Sequence, residues 1–278
     1  MRSTTVRDAG DRFAFARCSV APVYGRGERV WGSGTEMAVR RTSYDLYVRR
    51  VSWDEAFADR YDEWSEPMKA DVPFYVALAH EANGPLVELA VGNGRVAIPV
   101  ALETGRRVVG IDSSPAMLAQ AHDRAIDAGV ELDLRLGDMR DLTLDERAGL
   151  IYCPFRALLH LPTWADRRRT FRARRCVAAP GRPVRMERLR VRPSHRRTLE
   201  GLHPDTPVPH TIRYTVADNR IDVILDDGSS SSLWWATKNE WLGLLDVAGL
   251  KVEELYGDFD KTPLRADSRE YVFVATRK

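Results

Sequence analysis

Residues 86–112, LVELAVGNGRVAIPVALETGRRVVGID, restrict the fold more than any other stretch of this chain. An apolar run (Leu86, Val87, Leu89), interrupted by Glu88, leads into a glycine turn at Gly92-Asn93-Gly94. An apolar helical segment covers 95–103, and a second β-branched run at 108–111 ends on Asp112. Strand, glycine turn, helix, strand and terminal acid, in that order, predict the βαβ unit of a nucleotide-type site. Gly92 and Gly94 permit positive φ and let a ligand approach the backbone with no Cβ in between. The first N–H groups of the following helix lack intrahelical partners and face that ligand. An acid at the tip of the second strand can accept both hydroxyls of a ribose.

Two readings fit this unit. Gly92-x-Gly94-x-x-Ala97 matches a degenerate dinucleotide fingerprint with Asp112 near the expected spacing, which predicts an NAD(P)-dependent oxidoreductase. VELAVGNGR also resembles the first motif of the class I S-adenosylmethionine-dependent methyltransferases, an acid followed by three glycines at alternate positions. Glu88, Gly92 and Gly94 match, and Ala90 stands where the first glycine belongs. That replacement is tolerable if position 90 keeps β geometry.

At 278 residues the chain suits one α/β domain with additions, or two small ones, and 44% hydrophobic content permits a full core. A net charge of +2 gives no strong global attraction to nucleic acid or membrane. Cys18, Cys153 and Cys176 have no metal-ligand spacing and no even count for a disulfide framework. With no apolar leader and no run of spanning length, a cytoplasmic location follows as an expectation.

Residues 1–42 show no sustained period and are expected to be a poorly ordered extension, with Met37 as a candidate start. From 43 to 84 the pattern is helical. Trp53, Phe57, Tyr61 and Trp64 form an aromatic stripe, which reads as core packing or as a cap over a ligand with Tyr61 nearest. Asp71 and Pro73 predict the N-cap and first turn of a further helix. Pro115 opens another helix after Asp112, with Met117 on its inner side; the plain alternative for Asp112 is a helix cap.

The segment from Asp112 to Leu118 resembles the stretch after the second methyltransferase strand, so that Asp112, with Ser113 beside it, would hold the ribose. Residues 130–136 alternate as a strand and run into GDMRDL. In the methyltransferases the third strand ends in such an acid-plus-apolar pair. By that resemblance Asp138 would accept from the adenine amino group and Met139 would pack on the ring. Dinucleotide dehydrogenases have no general need for this pair, so agreement across motifs favours the methyltransferase reading. The fourth strand, 150–153, leads into Cys153-Pro154-Phe155-Arg156, which should line the cleft at the strand ends. The resemblance here is to the fourth motif, whose loop positions the acceptor. His160, on the short helix that follows, is a candidate base or a structural histidine.

A Pro-Gly-Gly turn and an apolar fifth strand should come next. Instead, thirteen arginines fall between 167 and 197, and no strand pattern is visible. One reading is an RNA- or phosphate-binding arm. The preferred one is that 172–203 is read one nucleotide out of frame. Met186 must be ATG and Glu187 begins with G, so the advanced frame contains TGG, tryptophan, and permitted codons around it supply a helix end, a Pro-Gly-Gly turn and an apolar aromatic strand. Taken as given, the segment should loop out, because burying unpaired guanidinium groups costs several kcal/mol each.

Residues 204–236 alternate as antiparallel strands around a turn at Ala217-Asp218-Asn219. Residues 237–278 give an amphipathic helix stopping at Gly249 and a pair of strands. This ending resembles the last units of class I methyltransferases. The implied fold is a doubly wound, Rossmann-like, mostly parallel sheet with an antiparallel last strand, a helical cap and an antiparallel insertion. Small-molecule members build their acceptor pocket in that insertion, where Tyr214, Trp234 and Trp235 are candidate walls or, equally, sheet-face packing; Arg156, after the fourth strand, is a further substrate candidate. The implied cofactor is S-adenosyl-L-methionine. Glu88, Ala90, Gly92, Asn93, Gly94, Asp112, Ser113, Met117, Asp138, Met139, Cys153 and Phe155 would surround it, with His160 or Tyr61 as candidate catalytic groups and no metal. The expected partner is a small-molecule methyl acceptor, to a monomer or homodimer. A non-catalytic cofactor-binding or RNA-binding protein is the further alternative.

Overall fold

The computed structural model describes residues 60–65, 69–177, 183–189, 198–201, 208–268 and 270–278, all within one unit spanning 41–278. The expectations for 1–42, for Met37 and for Trp53 and Phe57 lie outside the described residues.

Among the described residues two helices precede the sheet: α1 (Tyr61–Ser65) and α2 (Val72–Glu81). The glycine-turn unit follows as β1 (Leu86–Leu89), α3 (Ala97–Thr104) and β2 (Val108–Asp112). Next come α4 (Pro115–Asp127), β3 (Leu132–Leu136), β4 (Leu150–Cys153) and α5 (Trp164–Val177). Short 3-10 turns at Met139–Asp141 and Ala157–His160 follow β3 and β4. The chain closes with β5 (Pro183–Leu189), the strands β6 (Thr198–Gly201), β7 (His210–Thr215), β8 (Arg220–Leu225) and β9 (Ser230–Trp234), then α6 (Lys238–Val247), β10 (Leu250–Tyr256) and β11 (Glu270–Arg277).

The main sheet has the order β10-β11-β5-β4-β1-β2-β3, and β6-β7-β8-β9 form a separate antiparallel sheet. β1 pairs in parallel with both β2 and β4, so the chain reverses direction across the sheet between them. At such a reversal the connecting segments part and leave a crevice at the carboxyl ends of the strands. β1 and β4 are buried along their whole length, which explains their near-continuous apolar runs. One apolar layer contains Phe74, Tyr75, Leu86, Val100 and Val108; the other contains Leu89, Ile151, Phe171, Trp241 and Phe273.

Two sequence expectations need correction here. Residues 183–189 do not loop out. They form β5, parallel to β4 at Ile151–Cys153 and antiparallel to β11 along its full length. The stretch 172–203 also contains the end of α5 and β6, so the antiparallel insertion begins at Thr198 rather than 204. The physical reason is pairing. A slot between two strands satisfies backbone N–H and C=O groups whatever side chains the segment carries.

Asp71 also behaves differently from expectation. It stands at the N-cap position of α2 but makes no side-chain cap bond, and its backbone is helical. Its carboxylate instead receives two 2.6 Å hydrogen bonds from Arg95, both side chains being buried.

Candidate active site

The crevice beside β1 is a cleft, the kind of concavity in which small-molecule sites are built. Ala90 and Gly92 form its floor, Asp112, Ser113 and Ser114 one side, and Pro154, Phe155 and Ala157 the other. Tyr61, Met117, Met139 and His160 complete the lining.

The glycine turn is built by backbone bonds from Val91 N–H to Ile111 O (3.1 Å) and from Gly94 N–H to Val91 O (3.0 Å). Gly92 has φ +54° and Gly94 φ +82°. A Cβ on Gly94 would come within 2.8 Å of Ile98 Cδ1, whereas one on Gly92 would meet nothing within 4 Å and would enter open space. Ala90 has φ +54°, so the assumption that it keeps β geometry fails: it occupies the left-handed region that favours glycine. The loop after β4 holds two more such residues, Phe155 (φ +55°) and Arg156 (φ +61°). Strained backbone on both sides of one cleft is a pattern found at ligand sites.

Asp112 ties the turn to the second strand. One carboxylate oxygen accepts from Gly92 N–H (2.8 Å), the other from Ser114 N–H (2.9 Å). The helix cap is Ser114, whose hydroxyl accepts from Met117 N–H, so Asp112 is not the N-cap of α4. Burial holds the Asp112 carboxyl above its ordinary value, and the amides of Ser114 and Gly92 offset part of that. A carboxylate has about four acceptor positions, so each oxygen keeps capacity for a further hydroxyl.

Glu88 and Asn93 are buried beneath this turn. Burial drives the Glu88 carboxyl well up, against the opposing charge of Arg95. Asn93 Oδ1 has no hydrogen-bond partner among the described residues, whereas the Glu88 carboxyl has the Tyr152 hydroxyl beside it. Buried acceptors of this kind are costly unless something donates to them. None of Glu88, Asn93 and Gly94 is among the lining residues; a ligand's ammonium group donating to the Asn93 oxygen at the turn would meet that need, which fits the amino-acid end of the implied cofactor.

Arg95 lies in the turn before α3 and ties elements together. Its guanidinium is gripped by Asp71 and lies over the Phe155 ring at 4.7 Å. It therefore joins α2, the glycine turn and the strained loop after β4. No sequence signal marks this role, because Asp71 and Arg95 are brought together only by tertiary packing. Ser114, Pro154 and Ala157 also line the cleft beyond the sequence candidates, although each is adjacent to or within a motif that contains one.

Other candidates sit further out. Asp138 is not among the lining residues. Burial would raise its carboxyl, but the Arg140 guanidinium and amide outweigh that and hold it below its ordinary value. The Arg140 amide (2.8 Å) and Nε (2.9 Å) both donate to it. Cys153 is a fully buried core residue at the end of β4. Arg156 donates to Glu270 at 2.8 Å. Tyr214 and Trp235 are half-buried on and just beyond the insertion sheet and do not line the cleft. Among the described residues no group of side chains has metal-ligand clustering, and no helix is long and apolar enough to cross a membrane.

The two catalytic candidates do line the cleft. Burial pushes the His160 imidazole down to about 3. It pushes the Tyr61 phenol up to about 12, with Arg95 opposing. His160 is thus neutral and weakly basic near neutral pH, and Tyr61 keeps its proton.

Comparison with known proteins places this geometry in a class. Residues 86–181 match the family described as a methyltransferase domain. No curated protein matches. The CcbJ methyltransferase of Streptomyces caelestis is 25% identical, with a TM-score of 0.68 over 79% of this chain and 95% of that one. CalS10, an amino pentose methyltransferase of Micromonospora echinaspora solved with S-adenosylmethionine bound, is 23% identical, with a TM-score of 0.56 over 88% of this chain and 100% of that one. A S-adenosylmethionine-dependent methyltransferase of Clostridium acetobutylicum gives 0.65 at 14% identity, over 80% and 98%. The fold is accordingly the Rossmann-like fold of the class I methyltransferases. With the methyltransferase domain set on the glycine-turn cleft, the chain is read as a S-adenosylmethionine-dependent methyltransferase.

Proposed function

We propose that this chain transfers a methyl group to the nitrogen of a small-molecule amine. The carrying observation is the chemistry of the cleft walls: His160 is held too weakly basic to take up a proton, and Tyr61 is held protonated. An acceptor that is already nucleophilic in its neutral form, as a free amine is, needs no base from these two side chains, whereas an alcohol does. The glycopeptide N-methyltransferase MtfA and the sugar N-methyltransferase KedS8 share the fold, which is consistent with this reading.

In this assignment Glu88, Gly92, Asn93 and Gly94 hold the amino-acid part of the cofactor, with Ala90 shaping the turn. Asp112 and Ser113 take the ribose. Met117 and Met139, which line the cleft, pack on the adenine. The cofactor, when bound, supplies an electrophilic methyl group. The chain's own part is positioning: it holds acceptor and methyl at near-attack distance and keeps water out, which by itself can supply roughly 7–11 kcal/mol of the barrier. The proposed domain plan has α1 and α2 in a cap, a cofactor half over 85–171 and an acceptor-side insertion formed by β6 to β9.

The test is methyl transfer from labelled cofactor to panels of small amines and alcohols. Amines should be methylated, with kcat/KM rising as pH passes upward through the amine's own pKa. His160→Gln should leave the shape of that profile unchanged. Transfer to alcohols alone, or a profile that disappears with His160, would overturn the amine assignment.

A further inference from the structure

Asp62 lies on α1, outside every motif of the fold, yet it touches two parts of the cofactor half. One of its oxygens accepts from Asn93 Nδ2 and from Arg124 Nη1, each at 2.6 Å. Asn93 is the buried middle residue of the glycine turn, and Arg124 stands on α4, the helix that presents Met117 to the cleft. A carboxylate can only accept, so Asp62 fixes the Asn93 amide with its NH₂ group toward α1 and its oxygen turned the other way. That oxygen is the orphan acceptor described above.

The neighbours of Asp62 cross the rest of the cleft. Tyr61 meets the Phe155 ring edge-on at 5.7 Å and packs with Met117. Trp64 meets the His210 ring at 5.0 Å and joins Val208, Val223 and Leu225 in a separate apolar cluster. Arg60 donates to Asp226, beyond β8, at 2.7 Å. Residues 60–65 therefore run as a strap from the glycine turn to the insertion sheet.

We propose that Asp62 is a positioning residue, a latch that ties this strap to the glycine turn through Asn93 and to α4 through Arg124 and so sets the residence time of the cofactor. The proposal rests on the cofactor assignment above. For the cofactor to leave, Tyr61 must move away from Met117 and Phe155, and both Asp62 bonds must break first. The Asp62 side chain is 66% exposed, so the latch is screened by salt and its strength is modest.

The experiment is dissociation of S-adenosylhomocysteine from the full chain, followed by stopped-flow displacement. Asp62→Ala should release it about fivefold faster, the factor that corresponds to ~1 kcal/mol, with the association rate little changed. Raising salt to about 0.5 M should speed release from the wild type and leave the Asp62→Ala rate unmoved. A fold defect alone would not produce this loss of salt response. Asp246→Ala, which breaks an exposed ion pair with the C-terminal Lys278, should behave as wild type. An unchanged release rate in Asp62→Ala, or an unchanged salt response, overturns the latch. If Asp62→Ala does not fold, Arg124→Met carries the test: faster release supports the latch and an unchanged rate overturns it. Absence of binding to the wild type would instead overturn the cofactor assignment.

Discussion

In the half of the main sheet formed by β1, β2 and β3, each strand pairs in parallel with a neighbour from an adjacent βα unit, and each turn carries its own glycine, cap or acid. In the other half, β5 lies between a parallel β4 and an antiparallel β11 drawn from the far end of the sequence, and its residues read Pro-Val-Arg-Met-Glu-Arg-Leu. The first half is specified locally: the glycine turn, Asp112 and Ser114 form their bonds within the unit. The second is specified by the slot its neighbours leave open. A strand can therefore occupy its place through backbone pairing alone while its composition argues against it, at a cost in stability.

Breaking the local half should have the largest effect. Asp71→Ala removes both carboxylate bonds to the buried Arg95 guanidinium, which should cost about 3–5 kcal/mol and show as a clear fall in the denaturant midpoint. A fall no larger than that for an exposed ion pair would show that Arg95 finds another partner. In the other half the sign should reverse. Replacing Arg185 and Glu187 together with valine, a better strand former, should raise stability by up to about 1 kcal/mol per position, measured by the same midpoint. A loss instead would mean that the charged strand is matched to its surroundings. Resequencing the locus sharpens the same point, since an uninterrupted frame as given removes the frameshift explanation for 172–203.

A smaller gain is expected from Ala90→Gly, which relieves a left-handed alanine while loosening the unfolded chain, for a net of about 0.5–1 kcal/mol. Cofactor binding should survive it. The smallest effect concerns Asp138. Its folded carboxyl is held below the ordinary value, so its contribution is full above the unfolded carboxylate range and is lost as pH falls through the folded value. Thermal melts between neutral and acid pH should show this loss in the wild type and less of it in Arg140→Met.

The cofactor half is legible in the sequence because its signals are short-range. Gly92, Asp112 and Met139 all reach the cleft from motifs of a few residues. What stays hidden depends on contacts across the fold. The Asp71–Arg95 pair spans two elements, and Asp138 turns to Arg140 instead of lining the cleft. Ala90 adopts positive φ because the turn demands it there, whatever residue is present. Tyr214 and Trp235 are aromatic residues in the expected segment, but strand alternation and sheet packing decide where a side chain points, and these two lie outside the cleft. β5 escapes a reading by hydrophobic pattern because backbone pairing alone holds a central strand that has no apolar run.

The central claim is that the cleft at the end of β1 holds the adenosyl cofactor through Asp112. Calorimetric titration with S-adenosylhomocysteine tests it directly. The account predicts one site per chain in the wild type and, for Asp112→Ala, affinity weaker by about a hundredfold or more, as expected for the loss of two hydrogen bonds to a charged acceptor. No binding to the wild type, or equal binding by both proteins, would contradict it.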